Sequence, residues 1–298
     1  MILALLLAVT PVVLWQEPGP VEAFDFSSVA NPPRPPYTFL REDMGGTGPK
    51  VFVRDAAGIQ WRVKGGRDVM SETFITRFVT ALGYYAETTV FSAHGRIEGI
   101  PALKRASGFI QPDGAYTWAS FERIEPGAKF VGSWSWIDPG LRHTRELKGL
   151  KALVMLFSNW DNKDSRDSYK GSNTSILRLA DGRRVYFVND WGQSFGAWGR
   201  LFGRMNWDCR LYTQQTSEFV NGERDGYVQF GFTGAHTLLF RHDIRVEDVR
   251  WLMQYLGKIT DAQIRVGFKA AGANLEEEDC FTRALRARIE QLRKITLQ

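Results

Sequence analysis

The sequence predicts an α+β protein of two lobes, the first rich in strands and the second rich in helices. Residues 50–54 and 59–63 alternate apolar and polar side chains, which is the period of a half-buried β-strand. From Thr144 onward apolar residues recur every three or four positions, which is the period of an amphipathic helix. The length of 298 residues allows about two structural units at roughly 150 residues each. Hydrophobic residues make up 44% of the chain and charged residues 24%, which excludes a disordered or collagen-like protein.

The first lobe is expected to cover residues 37–125. A turn at residues 55–58 joins its first two predicted strands into a hairpin. Ser71 is the expected N-cap of a helix with a four-residue apolar repeat that ends near Gly83. The predicted strands of this lobe are residues 50–54, 59–63, 88–91 and 116–121.

The second lobe, residues 126–298, is expected to place helices around a short hairpin. One helix begins after Thr144, a polar loop covers residues 158–173, and residues 175–179 pair with residues 184–188. Apolar stripes predict two helices near the end of the chain, and they consist of Val249, Leu252, Met253 and Leu256 and of Phe281, Leu285, Ile289 and Leu292. The basic residues of the last helix are interpreted as one solvated face: Arg283, Arg286, Arg288, Arg293 and Lys294.

The chain opens with an apolar segment, residues 1–15, that reads MILALLLAVTPVVLW. Its length suits the core of a secretory signal and is short for a membrane span of about 20 residues. Residues 1–20 are therefore predicted to be a signal peptide or an uncleaved anchor, and the proline-rich residues 21–36 to be an extended linker. The protein is then exported or N-terminally anchored, or cytoplasmic if the apolar start is mis-assigned.

The charge and the few special residues exclude several function classes. The 38 Lys and Arg residues exceed the 33 Asp and Glu residues by only five, with no long basic tract, so nucleic acid is not an expected partner. The histidines show no zinc-ligand grouping; they are His94, His143, His236 and His242. Cys209 and Cys280 are also too far apart for a metal motif, and could form a disulfide or remain two buried thiols.

Two features of the first lobe, a glycine-rich turn and a lysine beside a glutamate, could hold an anion. Gly45, Gly46, Thr47 and Gly48 precede the first strand of the hairpin, where glycines let backbone N–H groups approach a phosphate closely. Lys64 ends the next predicted strand and Glu72 opens the following helix, so that the two could form an ion pair. The alternatives are an ordinary tight turn, a solvated lysine, and a glutamate that only favours the helix N-terminus.

Two segments of the second lobe concentrate carboxylates and amides. Residues 159–164 follow a helix and contain Asp161, Lys163 and Asp164, and the same loop continues to Asn173. Such groups are costly to bury without a role, although a solvated loop with Asx turns is the alternative. Asp190 ends a buried strand, where its carboxylate could hold a cation or simply cap a turn.

The order of these parts is that of a phosphoryl-transfer site of the kinase type. Lys64, aimed by Glu72, would neutralise nucleotide phosphates. Asp190 and Asn173 would supply hard oxygen ligands to Mg²⁺. Asp161 would orient or deprotonate the acceptor hydroxyl.

Residues 37–295 resemble an atypical protein-kinase-like fold, closest to the HipA-type and phosphoinositide-kinase branch and the secretory-pathway kinases. The resemblance rests on WRVKG at residues 61–65, on Ser71-Glu72 with Leu-Gly-Tyr at 82–84, on NWDNKD at 159–164, and on Asp-Trp-Gly at 190–192. It implies a bilobal fold, ATP with Mg²⁺ or Mn²⁺ as cofactors, and Asp161 as the catalytic aspartate.

This sequence departs from the family pattern in the catalytic loop. Asn162 and Lys163 replace Arg-His, and Arg166 stands where the metal-binding Asn is expected. An insertion would bring Asn173 into that place, and Asp164 remains a rival to Asp161 for the catalytic role.

The resulting hypothesis is an ATP- and Mg²⁺-dependent phosphotransferase that acts on a hydroxyl group of a protein, lipid or small molecule. The alternatives are a pseudokinase or nucleotidyl transferase on the same fold, and a non-enzymatic secreted protein that binds a cation. A membrane is an expected partner only through the N-terminal segment, if it is uncleaved.

Overall fold

The computed structural model describes residues 12–46, 48–199 and 203–297, and the first described element is a short strand that joins the second lobe. Strand β1 (Val12–Val13) runs parallel to residues 184–185. Trp15 follows it, donates from Nε1 to the main-chain oxygen of Leu82 at 2.7 Å, and packs its ring 5.2 Å from that of Trp251. Residues 12–20 of the predicted signal peptide or anchor therefore belong to the fold, and residues 1–11 lie outside the described part.

The proline-rich segment is packed against the protein, so the prediction of an extended linker is wrong for its first half. Val21 and Phe26 are each 1% exposed. Gln263 Nε2 donates to the main-chain oxygen of Val21 at 2.9 Å, and Arg77 Nη1 donates to that of Phe26 at 3.0 Å. Burial of these apolar side chains stabilises the packed segment by more than the loss of its conformational entropy costs.

None of the helices in the described ranges is long and apolar enough to cross a membrane.

The first lobe is a closed barrel of five strands with one helix packed on it. Its elements are β2 (Tyr37–Asp43), β3 (Lys50–Arg54), β4 (Gln60–Gly65), α1 (Asp68–Ala81), β5 (Thr89–Glu98) and β6 (Ala115–Arg123). The strand order is β2-β3-β4-β6-β5, and a short parallel pairing of β2 with β5 closes the barrel. Alternation along β4 buries Trp61 and Val63 inside the barrel and leaves Arg62 and Lys64 on its outer face.

Helix α1 begins four residues earlier than predicted. Gly66 at φ +123° turns the chain and Arg67 is the N-cap, so Ser71 lies inside the helix, where its hydroxyl donates to the main-chain oxygen of Ser194 at 3.3 Å. Glu72 therefore projects from the second turn of α1. The predicted end near Gly83 is confirmed, because the helix stops at Ala81.

The second lobe is mainly helical around a small sheet. In chain order it contains β7 (Lys129–Gly132), α2 (Arg145–Leu156), β8 (Thr174–Arg178), β9 (Arg184–Val188), β10 (Ala197–Gly199), β11 (Gly203–Met205), α3 (Cys209–Gln214), β12 (Val220–Arg224), β13 (Tyr227–Phe230), α4 (Thr237–Arg241), α5 (Val246–Leu256), α6 (Asp261–Ala270) and α7 (Leu275–Thr296). The sheet order is β1-β9-β8-β7. The predicted helix after Thr144 is confirmed as α2, and Thr144 Oγ1 caps it by accepting from Leu147 N at 3.2 Å.

Aromatic side chains join α1 to the second lobe. The ring of Phe74 on α1 stacks on Phe268 of α6 with centroids 3.8 Å apart, and Phe195 packs edge-on against both at 5.3–5.4 Å. These ring contacts fix the position of α1, and therefore of Glu72, relative to the second lobe.

One basic residue of α7 is buried, so the interpretation of the whole basic run as a solvated face is wrong for it. Arg288 is 1% exposed and stacks 3.8 Å above the ring of Tyr212. Its five hydrogen bonds of 2.8–3.4 Å go to neutral oxygens: Thr216 Oγ1, Met155 O, Leu156 O, Ser158 Oγ and Tyr212 O. The guanidinium satisfies carbonyl groups at the C-terminus of α2, where the helix dipole favours a positive charge.

Cys209 and Cys280 form a disulfide that links α3 to α7, which decides between the two alternatives left open by the sequence.

We expect the double variant Cys209→Ser/Cys280→Ser to lose about 2–4 kcal/mol of unfolding free energy, because the cross-link restricts the unfolded chain. Denaturant titration with and without reductant measures this loss. Reductant should leave the double variant unchanged, and equal midpoints for oxidised and reduced wild type would contradict the expectation.

Candidate active site

A polar cleft of about 230 Å³ lies between the two lobes. It brings together residues predicted from distant parts of the sequence, namely Gly46, Gly48, Lys64, Glu72, Asp161, Lys163, Asn173 and Asp190. Gly45 and Asp164 do not line it, and Thr47 lies outside the described residues. Residues of the cleft that sequence reasoning missed include Lys50, Arg62 and Asp68.

Lys64 is held by two carboxyl groups at the back of the cleft. Its Nζ lies 2.9 Å from Glu72 Oε1 and also contacts Glu122 Oε1. Glu122 is placed there by the antiparallel register of β4 and β6, which sets it opposite Arg62. Because that register joins residues about 60 positions apart, local sequence patterns carry no signal for the Lys64–Glu122 contact.

Burial and mutual repulsion separate the pKa values of the two glutamates. Burial, followed by the charge of Glu122, raises the pKa of Glu72 well above its usual value. Burial acts on Glu122 in the same direction, but Arg62 and Lys64 outweigh it and lower the pKa of Glu122 to about 2. Glu122 is therefore the principal charge partner of Lys64, and Glu72 is the second.

The glycine turn is anchored from the side by Arg105. Arg105 Nη1 donates to Met44 O at 2.9 Å and Nη2 donates to Gly46 O at 3.0 Å. Gly46 has φ +67°, and a Cβ there would lie 3.2 Å from Lys50 Nζ. The turn is therefore placed directly beside the ammonium group of Lys50.

Hydrogen bonds between loops fix the floor of the cleft. Asn173 Nδ2 donates to the main-chain oxygen of Asp161 at 2.5 Å, and Asn159 Nδ2 donates to that of Asp190 at 3.1 Å. Asn189 N donates to Asn173 O at 3.0 Å. The loop after α2 and the segment after β9 consequently hold each other in place, although about 30 residues of sequence separate them.

Asp190 faces a second carboxylate, Asp68, from the start of α1. Burial and then the charge of Asp190 raise the pKa of Asp68. Gly192 makes this approach possible, since a Cβ there would lie 2.8 Å from the Cβ of Asp68. A cation between these groups would relieve their repulsion.

The donor set suits a metal ion that also binds phosphate. Within the described ranges, His, Cys, Asp and Glu side chains form no cluster of three or more able to hold a metal by themselves. Mg²⁺ in phosphoryl-transfer sites usually takes one or two carboxylates, an amide oxygen and the substrate phosphates. Asp190 and Asn173 on the cleft wall fit that requirement.

Asp161 and Asp164, the two candidate aspartates of the loop after α2, lie in different surroundings. Asp161 lies in the cleft with Oδ2 3.3 Å from Lys163 Nζ. Asp164 is 1% exposed, and its two oxygens accept hydrogen bonds of 2.8–3.1 Å from Ser135 Oγ, Trp136 N, Arg166 N and Arg166 Nε. Asp164 therefore ties its loop to the segment before α2, which corrects its assignment as a catalytic candidate.

The chain has only a loose likeness to a known protein. No protein-family model and no curated protein sequence matches the chain. Among solved structures, the crystal structure of a Golgi casein kinase matches with a TM-score of 0.43 and 12% identity, covering 89% of this chain and 71% of that one. Independently of that match, the barrel lobe, the helical lobe and the Lys64–Glu72 pair at their cleft confirm the bilobal, kinase-like α+β fold predicted from the sequence.

Proposed function

We propose that this protein is a phosphotransferase that moves the terminal phosphoryl group of a nucleoside triphosphate to a hydroxyl acceptor. The observation that carries the proposal is the meeting of Lys64 and Glu72 from the first lobe with Asp161, Asn173 and Asp190 from the second in one cleft. Phosphoryl transfer needs positive charge on the phosphates, a metal site and a group that positions the acceptor. Lys64, the oxygen donors Asn173 and Asp190, and Asp161 line this cleft and support these three roles.

Each residue has a role that follows from its place. Lys64, fixed by Glu122 and Glu72, would neutralise phosphate oxygens without moving during the reaction. Asp190 and Asn173 would hold Mg²⁺ or Mn²⁺, which supplies charge neutralisation at the phosphates when bound. Asp161 would accept the proton of the acceptor hydroxyl, with Lys163 beside it to balance its charge.

The disulfide supports export of the protein, because such bonds persist in oxidising compartments. We propose on this ground that the reaction takes place in a secretory or extracytoplasmic compartment.

Thermal unfolding with ATP, with Mg²⁺ and with both tests the proposal. We expect a rise in Tm only when both are present, since saturation at 100 times Kd stabilises the folded state by about 2.7 kcal/mol. The Asp190→Asn variant should show no rise in Tm when ATP and Mg²⁺ are both present. The control Asp181→Asn changes an exposed carboxylate in the β8–β9 turn and should behave as wild type.

An assay of ADP release then distinguishes an enzyme from a protein that only binds the nucleotide. The proposal requires turnover of bound Mg²⁺–ATP by wild type and its loss in Asp190→Asn. Binding without any turnover would favour a pseudokinase, and no change in Tm at millimolar nucleotide would favour a non-enzymatic protein.

A further inference from the structure

The inner end of the cleft, behind Lys64, is filled by a network of ion pairs. Arg62 Nη2 lies 2.7 Å from Glu87 Oε2, and Arg62 Nε contacts Glu122 Oε2. The side chain of Glu122 is 2% exposed and that of Glu87 is 16% exposed. Behind this network, the space between Glu72, Glu87, Glu122 and the end of β9 has no room for a water molecule. A ligand that reached inward past Lys64 would meet these charged groups.

The outer part of the cleft is built for an anion. Lys50 and Lys64 are direct cross-strand partners on β3 and β4, an arrangement that places like charges against each other. The glycine turn lies against Lys50, and Lys163 faces the same space from the second lobe. Lysines gathered beside a glycine turn favour a ligand with several negative charges.

The described residues that line the cleft offer charged, amide and hydroxyl groups, together with glycines and Pro49. Sites for aromatic ligands are usually lined by apolar and aromatic side chains. Moving Arg62 aside would not create such a surface, because it would leave Glu87 without its cation and the buried Glu122 with Lys64 alone.

We propose that this site recognises its donor by the metal-bound triphosphate group and discriminates little among the bases that the triphosphate carries. This inference rests on the proposed function, and it specifies the donor class as metal-complexed triphosphates in general. Lys50 contributes to that recognition as a second phosphate-binding lysine beside Lys64. The base would remain near the mouth of the cleft, exposed to water.

Calorimetric titration of the full chain in excess Mg²⁺ tests the inference with ATP, GTP, UTP, inorganic tripolyphosphate and adenosine. The three nucleotides should bind within about threefold of one another, and tripolyphosphate within about tenfold of ATP, because the phosphates carry the affinity. Adenosine should not bind. Binding of adenosine, or ATP binding more than about 30-fold tighter than UTP and tripolyphosphate, would overturn the inference while leaving the proposed function intact.

A matched pair of variants sharpens the result. Lys50→Met should weaken all four triphosphates by a common factor of about ten, since it removes a contact to phosphate alone. Arg54→Met changes an exposed cation at the other end of β3 and should leave every affinity unchanged. Loss of ATP affinity alone in Lys50→Met would contradict the inference. Failure of every triphosphate to bind wild type would overturn both this inference and the proposed function.

Discussion

Replacing Asp161 by Asn is expected to lower the rate of ADP release from Mg²⁺–ATP by about 10²–10⁴-fold, the usual contribution of a positioned general base. The amide is nearly isosteric but cannot accept the proton of the attacking hydroxyl or water. Affinity for Mg²⁺–ATP should remain close to wild type, because the main-chain oxygen that orients Asn173 is retained and Lys64 and Asp190 are untouched. Initial rates and calorimetric affinities measured on the same preparation check both parts.

Asp164→Asn is the matched comparison, since it makes the same chemical change three residues away. One oxygen of Asp164 would become an NH₂ group facing N–H or O–H donors, so we expect a loss of about 1–3 kcal/mol in unfolding free energy. Turnover per folded molecule should stay within a few-fold of wild type. A fully stable Asp164→Asn protein without turnover, together with an active Asp161→Asn protein, would reverse the assignment of the two residues.

Replacing Arg288 by Met is expected to destabilise the fold by about 3 kcal/mol or more, because each buried acceptor left without a donor costs about 1–3 kcal/mol. The methionine fills part of the volume but donates to none of the five oxygens that surround the guanidinium. Several of these oxygens lie at the end of α2, directly before the loop that carries Asp161. Urea unfolding of the purified variant measures the loss.

Arg283→Met on the same helix is the control for Arg288→Met. The Arg283 side chain is 70% exposed and pairs with Asp279, and exposed pairs of this kind contribute about 0–1 kcal/mol. An Arg288→Met variant as stable as this control would show that the network around Arg288 is not a main source of stability.

Local patterns in the sequence predicted the elements well wherever neighbouring residues determine the structure. The alternation at residues 50–54 and 59–63 predicted β3 and β4, whereas the register that pairs Lys50 with Lys64 across a five-residue connection came from the structure. The last helix likewise carries Arg288 within its apolar stripe, three residues after Leu285 and four before Leu292, which is a periodic signal for burial.

The errors arose where contacts between distant segments outweigh local preference. Helix α1 starts at Asp68 because Gly66 can adopt a positive φ, whereas the serine expected to cap it is buried against Ser194. Residues 21–26, at the start of the segment expected to be a linker, contain Val21 and Phe26, which are buried, and Phe26 packs against Phe78 of α1 in a contact that no local pattern specifies.

The sequence by itself determined the order of the candidate groups and the type of element that carries each one, because apolar periodicity and turn residues act over a few positions. Only the tertiary structure decided which groups share the cleft, that Glu122 pairs with Lys64, and that Asp164 supports its loop while Asp161 lines the cleft. These facts depend on strand register and helix packing between residues tens of positions apart. Their physical cause is the burial of apolar side chains in the barrel and in the aromatic core. This burial fixes the two lobes, and therefore the charged groups that they carry, in contact with each other.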